Sequence, residues 1–237
     1  METFEKAFKR PRTENTKKRT FLNMFAGLSS NYLTYYQSAI NAYNNQNHPL
    51  ALENINKTIE KSDVKDWKHF AFRANVLEDL RKFNEASSDY EKAIELSGND
   101  ISVYALYHQI AYCYLNNSNN QKAVEFYNYA IDLKTNHPNN QSNEDIEGMD
   151  MGVLLGVPFK RMYSNRANAL LNLGQLNESL EDCKKSISYD KNYSNPYFVL
   201  STIYSKAGHE DKAIEYLKIS AQLGNRNAQA TLREIGL

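Results

Sequence analysis

The sequence predicts an all-α superhelical solenoid of five helix-turn-helix units with a C-terminal capping helix. Three observations carry this. Small residues recur at fixed spacing along most of the 237-residue chain. An aromatic residue precedes one of those small positions by four residues in every unit. Turns bearing glycine or asparagine separate the two helical runs in four of the five units.

The register is set on a small residue in each unit: Ala51, Ala86, Ala123, Ser179 and Ala213. Twelve residues earlier stand Ala39, Ala74, Ala111, Ala167 and Ser201, and four before those come Tyr35, Phe70, Tyr107, Tyr163 and Tyr197. Seven residues after the anchor stand Thr58, Ala93, Ala130, Ser186 and Ser220. The anchors are separated by 35, 37, 56 and 34 residues, so the third interval holds one unit plus an insertion. Positions four and seven apart share a helix face, so each unit reads as two helices that meet through small side chains. Small residues at a crossing bring helix axes to the short end of the ~8–10 Å packing range. Gly174 and Gly208 supply left-handed turn residues in the last two units, and Asn45, Asn47, Asn119 and Asn120 are expected to serve the turns that lack glycine.

The pattern resembles the tetratricopeptide repeat (TPR), whose period is ~34 residues. It covers about 32–227, as repeats 32–65, 67–98, 104–135, 160–191 and 194–227, with a cap at 228–237. The aromatic slot is never Trp, the usual late proline is missing, and the first repeat is the weakest, with Lys61 where later ones carry Leu96, Leu133, Tyr189 and Leu223. The resemblance implies a right-handed superhelix whose first helices line a concave groove. It nominates Tyr36, Tyr43, Asn75, His108, Tyr112, Arg161, Asn165, Asn168, Phe198 and Thr202 as groove residues. Aromatic side chains give contact area at low entropy cost, and asparagine pairs with an extended peptide backbone.

One stretch, Tyr163-Ser164-Asn165-Arg166-Ala167, resembles the carboxylate-clamp TPR cochaperones that grip acidic C-terminal tails. That clamp needs Lys and Asn on the preceding repeat and Lys and Arg on the following one. Here those places hold His108 and Tyr112, then Asn195 and Val199, and only Asn165 survives. A frame one repeat earlier gives Ala71, Asn75, Gln109, Arg161 and Asn165, with a single firm cation; the stretch therefore reads as an echo of helix packing.

Two segments fall outside the register. Residues 1–30 form a basic tail, partly disordered or helical, whose first twenty residues carry seven Lys/Arg and three Glu. Its runs Lys9-Arg10-Pro11-Arg12 and Lys17-Lys18-Arg19 read as a solvated tail rather than a nuclear address. Residues 136–159 are an insertion: polar and Asn-rich at first, then apolar from Val153 to Phe159. The apolar part is expected to pack on the solenoid, as a groove lid, or else to lengthen the helix that opens the fourth repeat.

Composition sets limits. With 28 Lys+Arg and 28 Asp+Glu the net charge is zero, which argues against nucleic-acid binding through whole-molecule charge. No run approaches the ~18 apolar residues of a membrane span. Cys113 and Cys183 read as half-buried thiols of a reducing, cytoplasmic compartment. The five histidines, His48, His69, His108, His137 and His209, have no metal-ligand spacing, and no phosphate loop, zinc-protease or nucleophile-elbow motif exists. Acid pairs such as Glu53/Glu60 and Asp89/Glu95 read as solvated faces. The expected protein is non-enzymatic, takes no cofactor or metal, and binds a protein or peptide segment in its groove as an adaptor. Alternatives are a self-associating subunit with an internally filled groove, a clamp for acidic tails, and a regulator whose basic tail meets nucleic acid or an acidic partner. The oligomeric state is open.

Overall fold

The computed structural model describes residues 31–98, 103–136, 146–147 and 154–237. Eleven α-helices lie within them: α1 (Asn31–Asn44), α2 (His48–Lys61), α3 (Trp67–Asp79), α4 (Phe83–Ser97), α5 (Val103–Asn116), α6 (Asn120–Asn136), α7 (Phe159–Asn172), α8 (Leu176–Tyr189), α9 (Asn195–Lys206), α10 (Glu210–Gln222) and α11 (Arg226–Glu234). Each odd-numbered helix up to α9 packs on the even-numbered helix after it, and each even-numbered helix packs on the next odd one. The result is an all-α solenoid of five helix pairs, with α11 packed on the last.

The small residues are what allow the stacking. All fifteen of the repeating small positions are buried, none of them more than 6% exposed. Serine replaces alanine at four of them; Ser201 Oγ donates within its own helix to Phe198 O (2.7 Å), and at the other three the hydroxyl is used across the crossing. Ser179 Oγ donates to the carbonyl of the facing small residue, Ala167 (2.7 Å), Ser186 to Lys160 O (2.7 Å) and Ser220 to Ser194 O (2.9 Å). A hydroxyl at a tight crossing thus keeps its hydrogen bond although it is out of water.

Five residues before each anchor the backbone turns left-handed: Gln46 (φ 58°), Arg81 (φ 59°), Ser118 (φ 59°), Gly174 (φ 77°) and Gly208 (φ 76°). Only two are glycine, and the asparagines expected there do something else. Asn47 Oδ1 accepts from Leu50 N and Asn119 Oδ1 from Lys122 N, both at 3.3 Å, so they cap the second helices. The non-glycine turns are held by paired carbonyls of the first helix. Arg81 N donates to Glu78 O and Lys82 N to Leu77 O, each at 2.8 Å, the Schellman pattern that offsets the strain of a Cβ at positive φ.

A second internal repetition ties units along the outer side. Arg73 forms a bidentate pair with Asp89 (2.6 and 2.7 Å) and reaches Asn56 Oδ1 on the preceding unit (3.0 Å). Arg166 does the same with Asp182 (2.7 Å twice) and Asn128 (2.7 Å). Asp89 is therefore buried and paired, which corrects its reading as part of a solvated face. The planar guanidinium fork fixes both angle and distance between the helices it joins. In the third unit the corresponding places hold Ile110 and Phe126, and an aromatic stack of Tyr107, Phe126 and Tyr114 stands there instead.

The insertion contains two short antiparallel strands, β1 (Ile146–Glu147) and β2 (Leu154–Gly156), the one sheet among the described residues. Strand β2 lies against α5, and α7 begins only after Pro158, so the insertion does not lengthen that helix. Val157 is fully buried beside Tyr104, Ala130 and Met162. Lys134, buried on α6, donates its ammonium to the Val157 carbonyl and sits 5.1 and 5.0 Å from the centres of the Tyr104 and Phe159 rings. Two ring faces and a carbonyl compensate the ammonium for lost water. Val153, at the start of the apolar stretch, and the basic tail 1–30 lie outside the described residues.

Both cysteines are free and wholly buried, more than the half-burial expected, and burial pushes both thiols well above their usual range. No helix among the described residues is long and apolar enough to cross a membrane.

The close crossings carry a testable consequence. Ala86 and Ala123 have no exposed surface, so Ala86→Leu or Ala123→Leu is expected to cost about 1–3 kcal/mol through overpacking. Chemical denaturation reads this directly, with Glu181→Leu on an exposed face as the control.

Candidate functional site

The first helices of units two to four converge on a polar cluster. Its centre is Glu78, on the last turn of α3. Glu78 Oε2 lies 3.1 Å from the Tyr90 hydroxyl of α4, 3.3 Å from Gln109 Nε2 and 3.9 Å from Cys113 Sγ, both of α5. Tyr90, fully buried, also makes a short hydrogen bond to the Asn75 side chain. Glu78 Oε1 has no hydrogen bond among the described residues.

The contacts continue as a directed chain. His108 is buried, with Nδ1 2.9 Å from Gln109 Oε1 and Nε2 3.3 Å from Asn165 Nδ2 on α7. Burial, the largest influence, lowers the His108 pKa to about 3, with Arg161 and Lys134 acting the same way, so the ring is neutral. An acceptor at Nδ1 then fixes the proton there, and Nε2 accepts from Asn165. Donation runs from Asn165 to His108, from His108 to Gln109 and from Gln109 to Glu78, across three units. All of it points at one carboxylate.

That carboxylate is expensive to ionise. Desolvation raises the Glu78 pKa to about 7; the Tyr90 hydrogen bond and Arg161 lower it, and Asp79 raises it. Arg161 thus acts electrostatically on both Glu78 and His108.

The fourth unit's junction with the third offers a comparison. Tyr127 on α6 occupies the register position of Tyr90, and both are fully buried. Where Tyr90 meets Asn75 and Glu78, Tyr127 meets Tyr112 and Leu115 in sequence register. Its hydroxyl has no hydrogen-bond partner among the described residues, with Asn165 beside it but outside bonding geometry. One tyrosine is satisfied and its counterpart is not.

The ten nominated groove residues separate into groups. Asn75, His108, Arg161 and Asn165 come together around Glu78, and Tyr112 lies close to Tyr127. Asn75 and His108 are buried, so they shape the trough floor more than they face open space. Tyr36 and Tyr43 pack edge-on to Phe72, with ring centres 6.1 and 5.4 Å away, in a separate aromatic group with His69 and His48. Phe198 packs against Leu217, Ala221 and Ala228 under the cap, and Thr202 Oγ1 donates to its carbonyl (3.2 Å). Asn168 is exposed on α7. Tyr90 and Tyr127 were not nominated, since an aromatic on a second helix reads as core. Among the described residues no group of three His, Cys, Asp or Glu is placed to hold a metal.

Two expectations follow. The Tyr90 hydroxyl is satisfied and the Tyr127 hydroxyl is not, so Tyr90→Phe should cost about 1–2 kcal/mol, whereas Tyr127→Phe should be neutral or stabilising; paired urea melts read the difference. The folded pKa of Glu78 is above its unfolded value, so its contribution is complete below pH 4.5 and is lost as pH rises towards 7. Glu78→Gln should therefore exceed the wild type in stability by about 2 kcal/mol at pH 8, with the gap closing near pH 4.5.

The tetratricopeptide repeat family model matches residues 70–100, 104–137, 160–193 and 194–218, so the first unit is left unmatched. Mouse tetratricopeptide repeat protein 12 is 35% identical over 84 residues, which are 32% of this chain and 12% of that protein. The chain therefore spans only about an eighth of that relative. Among solved structures, YrrB, described as a TPR protein with an unusual peptide-binding site, superposes with TM-score 0.61 over 90% of this chain and 97% of that one, at 15% identity. Cut9, in the APC/C hetero-tetramer Cut9–Hcn1, superposes with TM-score 0.65 over 94% of this chain and 39% of that one, at 15% identity. At such identities the superpositions speak for the fold. With the family model covering more than half of the chain, the stacked helix pairs and their small-residue register are those of the tetratricopeptide repeat family, to which this chain belongs.

Proposed function

We propose that the chain is a non-enzymatic protein-interaction scaffold, an adaptor that takes a peptide or protein segment along its concave face. The observation that carries this reading is the row of polar and aromatic groups, Tyr112, Arg161, Asn165, Asn168 and Thr202, on the first helices of three successive units, behind which a hydrogen-bond chain fixes the floor. An extended segment offers one amide and one carbonyl per residue, and side-chain amides at such spacing match it. The titratable groups there suit binding better than chemistry: His108 is held neutral and the Cys113 thiol is held protonated. YrrB, similar in fold, is described by its peptide-binding site, which supports the same use of this architecture. Two buried free thiols fit a cytoplasmic setting.

A second reading, a self-associating subunit with a filled trough, draws on the burial of Asn75 and His108. A clamp for acidic tails draws on Asn165 alone and is opposed by the Glu78 carboxylate at the centre. Site-specific photo-crosslinking separates these. A crosslinker at Asn168 should capture a segment from a displayed peptide library, whereas one at exposed Lys184 should not. Crosslinks between copies of the chain, with a doubled mass in sedimentation, would favour self-association instead.

A further inference from the structure

Glu78 does not behave as a residue that merely fills space. Its two oxygens are used unequally: Oε2 gathers the Tyr90 hydroxyl, the Gln109 amide and the Cys113 thiol, whereas Oε1 makes no hydrogen bond among the described residues. The donors come from two neighbouring helices, so the carboxylate is oriented, with one oxygen anchored and the other left over. The chain Asn165–His108–Gln109 ends on the anchored oxygen and delivers donor polarity there from two units away. A carboxylate held this way resembles a receptor for positive charge more than a receptor filled by it.

The groups around it set the sign. From α3 itself comes Asp79, whose carboxylate lies 3.5 Å from His48 Nδ1. From α4 comes Tyr90, from α5 Gln109 and Cys113, from α6 Tyr127, and from α7 Arg161. Arg161 is the one cation of this set, and its nitrogens are not within ion-pair distance of Glu78 among the described residues. An incoming acidic group would face Glu78 and Asp79 together, and the donors it needs are already engaged on Oε2. An incoming ammonium or guanidinium would find an oriented acceptor in a poorly solvated place, where a charge-assisted hydrogen bond is strong.

We propose that Glu78 is the charge-selecting residue of the trough, accepting through Oε1 the lysine or arginine side chain of the bound segment and excluding acidic ones. The proposal rests on the concave-face reading above. Pairing also removes the cost of ionising Glu78, so uptake of a cationic segment at pH 6 releases a proton that the free protein holds there.

The test uses the full chain and two random decapeptide pools, alike except that one is rich in Lys and Arg and the other in Asp and Glu. Both are scored for retention by the wild type, Glu78→Gln and Glu78→Lys, with thermal melts to establish that each variant is folded. The wild type is expected to retain the basic pool at least about tenfold better than the acidic one, since one pairing of this kind is worth a factor of ten or more. Glu78→Gln, which keeps the shape and loses the charge, should bring that ratio close to one, and Glu78→Lys should invert it. Should Glu78→Gln fail to fold, Gln109→Leu, which frees Oε2 of its amide donor, should change the ratio at least threefold. Equal retention of both pools by the wild type, or a preference unchanged in Glu78→Gln, overturns the role of Glu78 and leaves concave-face binding standing. Failure of the wild type to retain either pool overturns concave-face binding and this proposal with it.

Discussion

Everything in this molecule depends on how closely two helices can approach at a crossing. The small side chains at the repeating positions are all buried. Close approach makes each pair a rigid unit, and a rigid unit repeated five times stacks at a constant angle. A constant angle in turn gives the stack a concave side that extends across units instead of a set of unrelated surfaces. Serine at three of these crossings shows how tight the constraint is. The hydroxyl is admitted because a carbonyl of the facing helix lies within 2.7–2.9 Å of it.

The trough that results is not inert backing. A carboxylate, a neutral imidazole and three amides lie where the units meet, and their hydrogen bonds have one direction. Such a network is costly to bury unless it is fully connected, and it is nearly so. The exception is Tyr127, whose hydroxyl is left over because the third unit offers Tyr112 and Leu115 where the second offers Asn75 and Glu78. Units with the same backbone thus differ in what they do with the same tyrosine. The difference locates the polar centre at units two to four, away from either end of the stack.

Much of the fold was legible in the sequence, because the pattern of small and aromatic residues is a direct image of the crossings. Five slots in five units leave little freedom. Less legible were features that depend on which backbone group happens to be free. Gln46, Arg81 and Ser118 turn left-handed because the helix before them supplies two carbonyls, which no propensity for asparagine encodes. Asp89 looked like any acid on a second helix; its partner Arg73 is sixteen residues away, and the same spacing in Arg166 and Asp182 was the signal available. The insertion carries no register, so its two strands could not be read from it. Of the trough residues, the register identified Asn75, His108, Arg161 and Asn165 as neighbours of a common space. It did not show that Glu78, one turn further on α3, is what they surround.

The two kinds of repetition on the two faces have different physical consequences. On the outer side, the Arg–Asp–Asn ties join unit one to two and unit three to four, with charge fully paired and directions fixed. On the inner side, the polar chain joins unit two to three and three to four. The junction of units two and three lacks the outer tie, as does that of units four and five, and across it run the bonds of Gln109 to Glu78 and of Asn117 to Asn84. It is at the junction of units two and three that the charge on Glu78 is felt. The carboxylate proposed to meet a ligand's charge is thus also one that ties two units together, so a ligand taking Oε1 would act on a group that the Gln109 bond already holds across the junction.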